Sequence, residues 1–367
     1  MIDNNLLGSD LPKSIEWTDG DLYLLDQTIL PHKTVMEKQN SVEDVWQAIK
    51  MLKVRGAPAI GVAAAYGLCV ALKDMIDKPI EEFRVIIEEK AAYLDSSRPT
   101  AVNLGWAMNR MVKHAQNSTA TSSRELYEIL VDEAENIHQE DIAISTGIGV
   151  TGLPLIKDGM GIMTHCNAGS LATSILGTAT SPMYLAHKNG VQFKVFANET
   201  RPLLQGARLT SWELQKAGID VTLLTDNMAA HMMATGHIDM VIVGTDRVVA
   251  NGDVANKIGT LGVAILAKYY GIPFYVACPS STIDMATSNG NDIPIEERSE
   301  DEVTTIMGQR VAPANIQTRG PAFDVTPNEL VTGLITENAI VQAPYTEGLR
   351  ELIKGNAKDE LSLNKPS

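Results

Sequence analysis

Two side chains in the second half of the chain have the chemistry of a proton-transfer pair. Cys166 lies in the polar stretch 164–170, directly after a short apolar run and before a helix expected at 171–173. Asp246 follows the apolar run 240–243. A thiolate is a good base, and a carboxyl group that is partly buried, as expected for Asp246 where an apolar strand ends, can act as a general acid. A buried structural cysteine, and an aspartate paired with Arg247, are the alternative interpretations, and the residues alone leave them open.

Several other loops carry groups that suit an anionic, hydroxylated substrate. They combine arginine, amide and ammonium groups with flexible backbone, which is what phosphate and hydroxyl groups need. Single arginines in loops more often form surface ion pairs, so these loops are candidates only. The first is 54–61, where Arg55 lies at a predicted helix start, and the second is Arg98, which precedes Pro99. The third is 199–208, which contains two arginines and Gln205. The fourth is Asn256-Lys257, which is expected to open a helix after the Asn251-Gly252 turn.

The apolar pattern indicates which elements position these groups. Before residue 145 it is mainly helical, with a small hairpin around Asp19-Gly20 and then five helices, the first starting at the capping-box-like Ser41. Beyond Gly159, short apolar runs alternate with helical segments, which predicts a parallel sheet of βαβ units. Ligands of such sheets bind at the carboxyl ends of the strands. The runs are 161–164, 193–196, 221–224, 240–243 and 273–276.

The chain is therefore predicted to be an α/β protein of two domains. A mostly helical N-terminal domain, 1–145, with a short β-hairpin region, precedes a Rossmann-like C-terminal domain, 146–346, whose parallel sheet is flanked by helices. A length of 367 residues fits two cores. From 347 to 367 the chain has little apolar content, which predicts a loose tail.

Composition argues against several classes of protein. The net charge is −15 and no basic cluster with aromatic residues occurs, so neither nucleic acid nor membrane is expected as a partner. The N-terminus lacks a signal-peptide pattern, and three widely spaced cysteines suit a reducing, cytoplasmic location.

Residues 147–152 fit G-x-G-x-x-G, but the preceding stretch looks helical, which argues against dinucleotide binding. No metal-ligand spacing is convincing around His165 or His231.

Four sequence motifs, which occur in a fixed order along the chain, are together very specific for one protein family. They are Arg55-Gly56-Ala57-Pro58, 165–169 (His-Cys-Asn-Ala-Gly), 199–206 (Glu-Thr-Arg-Pro-Leu-Leu-Gln-Gly) and 244–257, which contains Gly-Thr-Asp-Arg, Asn-Gly-Asp and Asn-Lys. On these motifs the chain, over about 12 to 345, resembles the 5-methylthioribose-1-phosphate isomerases of methionine salvage, an initiation-factor-2B-like isomerase family. A weaker resemblance extends to ribose 1,5-bisphosphate isomerases and to regulatory subunits of the translation initiation exchange factor.

The resemblance implies an aldose–ketose isomerase that acts on a phosphosugar without metal or organic cofactor, as a homodimer. It implies that Cys166 and Asp246 are the catalytic pair. It also implies substrate contacts from Arg55, Gly56, Ala57, Arg98, Gln205, Asn256 and Lys257. One departure is Asn198, where many members have Asp. Isomerisation of 5-deoxyribose 1-phosphate or ribose 1,5-bisphosphate, or a non-catalytic regulatory subunit, remain the alternatives.

Overall fold

The computed structural model of the protein describes residues 11–99 and 101–363, with side chains up to residue 355. The chain divides into two compact units. The first comprises the described residues up to Ser145 together with Gly169–Gly177, and the second comprises Thr146–Ala168 and the described residues from Thr178 onward. A short segment that follows Cys166 in the chain therefore belongs to the first unit.

The first unit contains a three-stranded antiparallel sheet and helices. The hairpin and the helices agree with the apolar pattern, whereas the third strand was not predicted. Asp19-Gly20 connects the first two strands, and the side chain of Ser41 accepts a hydrogen bond from the Asp44 amide at 3.2 Å, which caps the first helix. The elements are β1 (Ile15–Thr18), β2 (Asp21–Leu25), β3 (Met36–Gln39), α1 (Val42–Lys50), α2 (Ala57–Leu72), α3 (Ile80–Asp95), α4 (Val102–Asn117) and α5 (Ser123–Gly152).

Helix α2 forms the centre of this unit. It is apolar on every side because it is surrounded by the rest of the unit, with residues such as Ile60, Leu68 and Leu72 fully buried. The window Ala57–Met75 is long and apolar enough to cross a membrane, but 67% of it is buried inside the protein. Burial to this extent is what the core helix of a folded domain shows.

The second unit contains a seven-stranded sheet in the order β16-β15-β10-β7-β4-β5-β6, parallel except for β16. All five predicted strands are present, so the α/β fold with a parallel sheet is confirmed. The sheet strands are β4 (Gly161–His165), β5 (Lys194–Asn198), β6 (Asp220–Leu224), β7 (Met240–Val243), β10 (Phe274–Ala277), β15 (Gly333–Ile335) and β16 (Ile340–Val341).

A second sheet in this unit, β11-β8-β9-β14, was not predicted. Its strands are two to four residues long and mix polar with apolar residues, so no apolar run marks them. They are β8 (Arg247–Val249), β9 (Val254–Lys257), β11 (Ile283–Asp284) and β14 (Phe323–Thr326), and a hairpin adds β12 (Thr305–Ile306) and β13 (Gln309–Arg310). The helices are α6 (Ser181–Lys188), α7 (Ser211–Lys216), α8 (Ala229–Ala234), α9 (Thr260–Tyr270), α10 (Glu300–Thr304) and α11 (Tyr345–Leu363).

Three local expectations are wrong. The helix expected at 171–173 is a single 3₁₀ turn, Ser170–Ala172, and the next helix starts only at Ser181. Asn256 and Lys257 end strand β9 and do not open a helix. The segment expected to be a loose tail forms most of α11, because Tyr345 and Leu349 lie on one helix face and are buried in the core of the second unit.

Candidate active site

The strand order places Cys166 and Asp246 at the position where the order of strands in the sheet reverses direction. From β4 the chain moves outward in one direction through β5 and β6, and then returns to the other side of β4 through β7 and β10. Cys166 directly follows β4, and Asp246 comes three residues after β7, its hydrogen-bonded parallel neighbour. The carboxyl ends of two parallel strands at such a reversal are where ligands of open α/β sheets bind. Both candidate catalytic residues therefore lie at that edge.

Cys166 is buried, with 8% of its surface exposed, and its backbone conformation is unusual. Its φ is +67° and that of Thr200 is +66°. A non-glycine residue in this region costs on the order of 1–3 kcal/mol and persists only where surrounding contacts hold it. The Cys166 amide donates to Thr200 Oγ1 at 2.7 Å, and the hydroxyl of Thr210 donates to the Cys166 carbonyl oxygen at 2.6 Å. The residue is thus fixed on both sides of its Cα.

His165, the last residue of β4, is a buried structural imidazole. Its Nε2 lies 2.9 Å from the Ile258 carbonyl oxygen and its Nδ1 lies 3.4 Å from Asn198 Nδ2. Burial lowers the pKa of His165, which favours the neutral ring. No group of three or more His, Cys, Asp or Glu side chains among residues 11–99 and 101–355 is arranged to hold a metal ion.

Asp246 differs from expectation in its environment. Partial burial was expected where the apolar run 240–243 ends, but the residue is exposed, because the chain leaves the buried strand at Gly244 and enters the loop before β8. The Asp246 amide donates to the Ala255 carbonyl oxygen at 3.0 Å, which ties this loop to β9. Arg247, considered above as its ion-pair partner, forms an ion pair with Asp284 at 3.4 Å.

Asn256 and Lys257 end β9 of the same unit. Asn256 is 6% exposed and donates from Nδ2 to Thr260 Oγ1 at 3.0 Å, while the Lys257 ammonium lies 4.6 Å from the centre of the Phe323 ring. Two backbone amides at the start of α9 are already occupied, because the Asp324 carboxylate accepts from the amides of Gly259 at 2.7 Å and Leu261 at 3.1 Å. The structure thus does not support a phosphate at this helix start, although Lys257 can still attract an anion.

Gln205 lies in the loop after β5. It is 7% exposed, and its side-chain oxygen Oε1 has no hydrogen-bond partner among the described residues. A buried amide oxygen without a partner is costly, so Gln205 is suited to accept a hydrogen bond from a bound hydroxyl group. Arg201, part of the predicted anion-binding loop, instead donates to the carbonyl oxygens of Pro202 and Val303.

The remaining candidates lie in the first unit. Arg55, Gly56 and Ala57 occupy the start of α2 as predicted, and Arg98 lies between α3 and α4. Gly56 has φ +97°, and a Cβ atom built on it would lie 2.4 Å from the carbonyl oxygen of Ala172. Only glycine fits this position. The backbone of Gly56 therefore touches the segment 169–177 that follows Cys166 in the chain.

Long-range hydrogen bonds hold the segment 169–177 in the first unit. Ser14 Oγ donates to the Thr173 carbonyl oxygen at 3.0 Å, and Gln27 Nε2 donates to that of Leu171 at 2.9 Å. The Ser174 amide donates to the Asp141 carboxylate at 2.6 Å. The partners are 33 to 159 residues away in sequence. No local sequence pattern predicts these hydrogen bonds.

Sequence reasoning missed Thr200, Thr210 and Asp226. The Asp226 carboxylate accepts from the amides of Thr200 at 2.8 Å and Arg201 at 2.7 Å, and so fixes the loop that supports Cys166. A signal for Asp226 was present, since it follows β6 at the same edge of the sheet as Cys166 and Asp246. The G-x-G-x-x-G stretch 147–152 lies inside helix α5, in line with the helical pattern that precedes it, and not in the turn between a strand and a helix that the dinucleotide fingerprint needs.

Comparison with known proteins places this geometry in a family. Residues 53–343 match the model of the Initiation factor 2 subunit family. A 5-deoxyribose 1-phosphate isomerase of Bacillus thuringiensis (strain Al Hakam) is 56% identical over 340 residues, which cover 93% of this chain and 98% of that protein. The crystal structure of 5-methylthioribose 1-phosphate isomerase from Pyrococcus horikoshii OT3 is similar, with a TM-score of 0.91 and 44% identity over 95% of this chain and 98% of the other. A structure described as translation initiation factor eIF-2B, subunit delta, from A. fulgidus gives a TM-score of 0.87 and 43% identity over 93% and 99%.

The protein is an α/β protein whose sheet reverses direction between β4 and β7, a position where open α/β sheets generally bind ligands. The chain belongs to the Initiation factor 2 subunit family. The resemblance inferred from the four sequence motifs is therefore confirmed at the level of the family. The individual site residues, the homodimer and the cytoplasmic location stay predictions.

Proposed function

We propose that this protein is an aldose–ketose isomerase of 5-deoxy sugar 1-phosphates, with 5-deoxyribose 1-phosphate as the preferred substrate and 5-deoxyribulose 1-phosphate as the product. The observation that carries the proposal is the placement of Cys166 and Asp246 after neighbouring parallel strands at the β4/β7 reversal. A thiol and a carboxyl group at one such edge can supply the base and the acid that an isomerase needs to move protons. Relatives 56% identical to this chain carry the name of that activity.

The chemistry explains why two different groups are needed. A phosphate on C1 locks the sugar as a ring, so no free aldehyde is available to begin the reaction. In the proposed route the Asp246 carboxyl group protonates the ring oxygen as the bond between C1 and the ring oxygen breaks, and the Cys166 thiolate removes the proton from C2. The resulting enol receives that proton at C1, while the C2 hydroxyl proton returns to Asp246, so that both groups are regenerated.

Solvent access differs between the two groups. Cys166 is buried, which limits the contact of its thiolate with bulk water. Asp246 is exposed, so a substrate can reach its carboxyl group directly. Gln205 Oε1, which has no partner among the described residues, would accept a sugar hydroxyl, and the cationic Lys257 would attract the phosphate. Arg55, Gly56, Ala57, Arg98 and Asn256 are the further proposed substrate contacts.

The second candidate substrate is 5-methylthioribose 1-phosphate. It differs only in the C5 substituent, and a solved structure 44% identical to this chain is that of an isomerase named for it. In that case the enzyme would serve methionine salvage, as the sequence motifs suggest. The higher identity of the relatives named for the 5-deoxy sugar favours 5-deoxyribose 1-phosphate.

A turnover assay with matched variants tests the proposal. Wild type, Cys166→Ser and Asp246→Asn are assayed on 5-deoxyribose 1-phosphate, 5-methylthioribose 1-phosphate and ribose 1,5-bisphosphate. Cys69→Ser, in the core of the first unit, and Asp220→Asn, at the amino end of β6, are the controls. We expect kcat to fall by about 10²–10⁴-fold in each of the two site variants and to persist in the controls.

Two outcomes would count against the proposal. Wild-type protein inactive on all three sugars would favour a non-catalytic regulatory subunit. Turnover that survives in Cys166→Ser or Asp246→Asn would remove that residue from the reaction. The ratio of kcat/KM on the two 5-deoxy sugars decides between the first and second candidate substrates.

A further inference from the structure

The two hydroxyl groups that flank Cys166 have unambiguous hydrogen-bond directions. Thr200 Oγ1 lies 3.0 Å from the Asn198 carbonyl oxygen, which can only accept, so the Thr200 hydroxyl proton points there and its lone pair receives the Cys166 amide proton at 2.7 Å. Thr210 Oγ1 donates to the Cys166 carbonyl oxygen and accepts from Asn167 Nδ2 at 3.0 Å. Each hydroxyl group therefore serves as both donor and acceptor.

This arrangement holds a conformation that the chain would otherwise leave. Cys166 and Thr200 both have positive φ, and for the β-branched Thr200 such a value is rare. The direction of the Cys166 Cα–Cβ bond is set by this backbone conformation. If the amide of Cys166 lost its acceptor, a buried N–H group would have no partner, and the residue would gain by rotating out of the left-handed region.

Asp226 supports Thr200 in turn. Its two carboxylate oxygens accept separate hydrogen bonds, one from the Thr200 amide and one from the Arg201 amide. Thr200 is fully buried, so this contact and the bond to Asn198 fix its hydroxyl group in place. A continuous path of hydrogen bonds thus runs from Asp226 through Thr200 to the Cys166 backbone.

We propose that Thr200 is a positioning residue for the Cys166 thiol, and that Asp226 supports it by ordering the Thr200 backbone. The Thr200 hydroxyl group acts as the acceptor that keeps Cys166 in the left-handed conformation, and this conformation directs the thiol towards the reacting C2–H bond. The proposal rests on the proposed role of Cys166 as the group that carries the C2 proton.

Thr200→Val is the central test because valine has the shape of threonine without the hydroxyl group. We expect kcat to fall by about 100-fold, the loss that a misplacement of about 1 Å produces, while KM changes little. Thr200→Ser, which keeps the hydroxyl group, should restore most of kcat. Thr222→Val on β6 is the matched control and should behave as wild type.

The alkylation rate of Cys166 by iodoacetamide gives a readout separate from turnover. Cys69 and Cys278 are fully buried, and burial raises the pKa of both thiols, so modification at Cys166 can be followed by mass spectrometry. Release of Cys166 from its buried conformation should make its alkylation faster in Thr200→Val than in wild type or Thr200→Ser.

A folded Thr200→Val protein with wild-type kcat overturns the proposal. A lower kcat with an unchanged alkylation rate overturns it as well, since the thiol would then not have moved. If Thr200→Val does not fold, Asp226→Asn replaces it, with a smaller fall in kcat and faster alkylation expected, and wild-type behaviour of that variant overturns the proposal. Turnover that persists in Cys166→Ser would instead refute the proposed function, while the alkylation rates would still report on the role of Thr200.

Discussion

His165 donates a hydrogen bond from its Nε2 to the carbonyl oxygen of Ile258 at 2.9 Å. Because a carbonyl oxygen can only accept, Nε2 must carry a proton, and the neutral ring presents Nδ1 as an acceptor to Asn198 Nδ2. Burial lowers the pKa of His165, in opposition to the Asp226 carboxylate 4.0 Å away. The imidazole beside Cys166 is therefore a neutral anchor that joins β4 to the start of α9, and it does not serve as the base that activates the thiol.

The first prediction follows from that tautomer. In protein labelled with ¹⁵N-histidine, His165 should give the signals of a neutral ring protonated on Nε2 at pH 6.5, where an ordinary imidazole is half protonated. The exposed His231 supplies a reference signal from the same sample. A His165 signal typical of imidazolium at neutral pH would contradict this assignment.

The second prediction concerns Gly56. Gly56→Ala combines a left-handed φ with a Cβ atom 2.4 Å from the Ala172 carbonyl oxygen. The matched control is Gly20→Ala in the β1–β2 turn, which has φ +77° but whose Cβ would meet its nearest neighbour, Lys73 Nζ, at an ordinary 3.5 Å. Gly20→Ala should lower the free energy of unfolding by about 1–2 kcal/mol, because alanine is strained in the left-handed backbone conformation.

Gly56→Ala should cost about 1–3 kcal/mol more than this control, because backbone atoms of Ala172 must shift. Urea unfolding of both variants measures the difference. Equal losses of stability would mean that the close approach to residues 169–177 is not a constraint on Gly56.

The third prediction is a pH dependence of stability that comes from His138. Burial lowers the pKa of His138 from 6.5 to about 4, and Tyr66 Oη lies 3.0 Å from its Nδ1. Since the unfolded state binds the proton first, stability is complete above pH 6.5 and falls as the pH drops towards 4, by up to about 3 kcal/mol. His138→Gln should remove this part of the slope. Unfolding free energies measured at pH 7.5 and 4.5 in both proteins give the result, and identical slopes would contradict it.

The sequence predicts what depends on local pattern and misses what depends on distant contacts. The apolar runs 161–164 and 240–243 give β4 and β7, and with them the edge where Cys166 and Asp246 lie, because a buried parallel strand needs uninterrupted apolar residues. The segment after Cys166 was expected to be helical. It is held instead by Ser14, Gln27 and Asp141, which are distant in the sequence.

The exposure of Asp246 and the left-handed conformation of Cys166 could not be predicted for the same reason. Asp246 lies in a loop tied to β9 of the small sheet, whose strands are too short and too polar to leave a signature. The φ of Cys166 depends on the hydroxyl groups of Thr200 and Thr210, 34 and 44 residues further along the chain. The sequence predicts which residue types could form the site, but the local geometry of these residues depends on tertiary contacts.

The last prediction separates two routes for the hydrogen that leaves C2. If the Cys166 thiolate carries it as a proton, the thiol can exchange with solvent before return, so turnover in D₂O should place deuterium at C1 of the product, as read by NMR at low conversion. Product incubated with Cys166→Ser in D₂O measures spontaneous exchange beside the ketone and is subtracted. A direct hydride shift from C2 to C1 would leave C1 free of deuterium even after full conversion by wild-type protein. Complete absence of label, together with retained turnover in Cys166→Ser, would assign the transfer to the substrate itself and leave Cys166 without a chemical role.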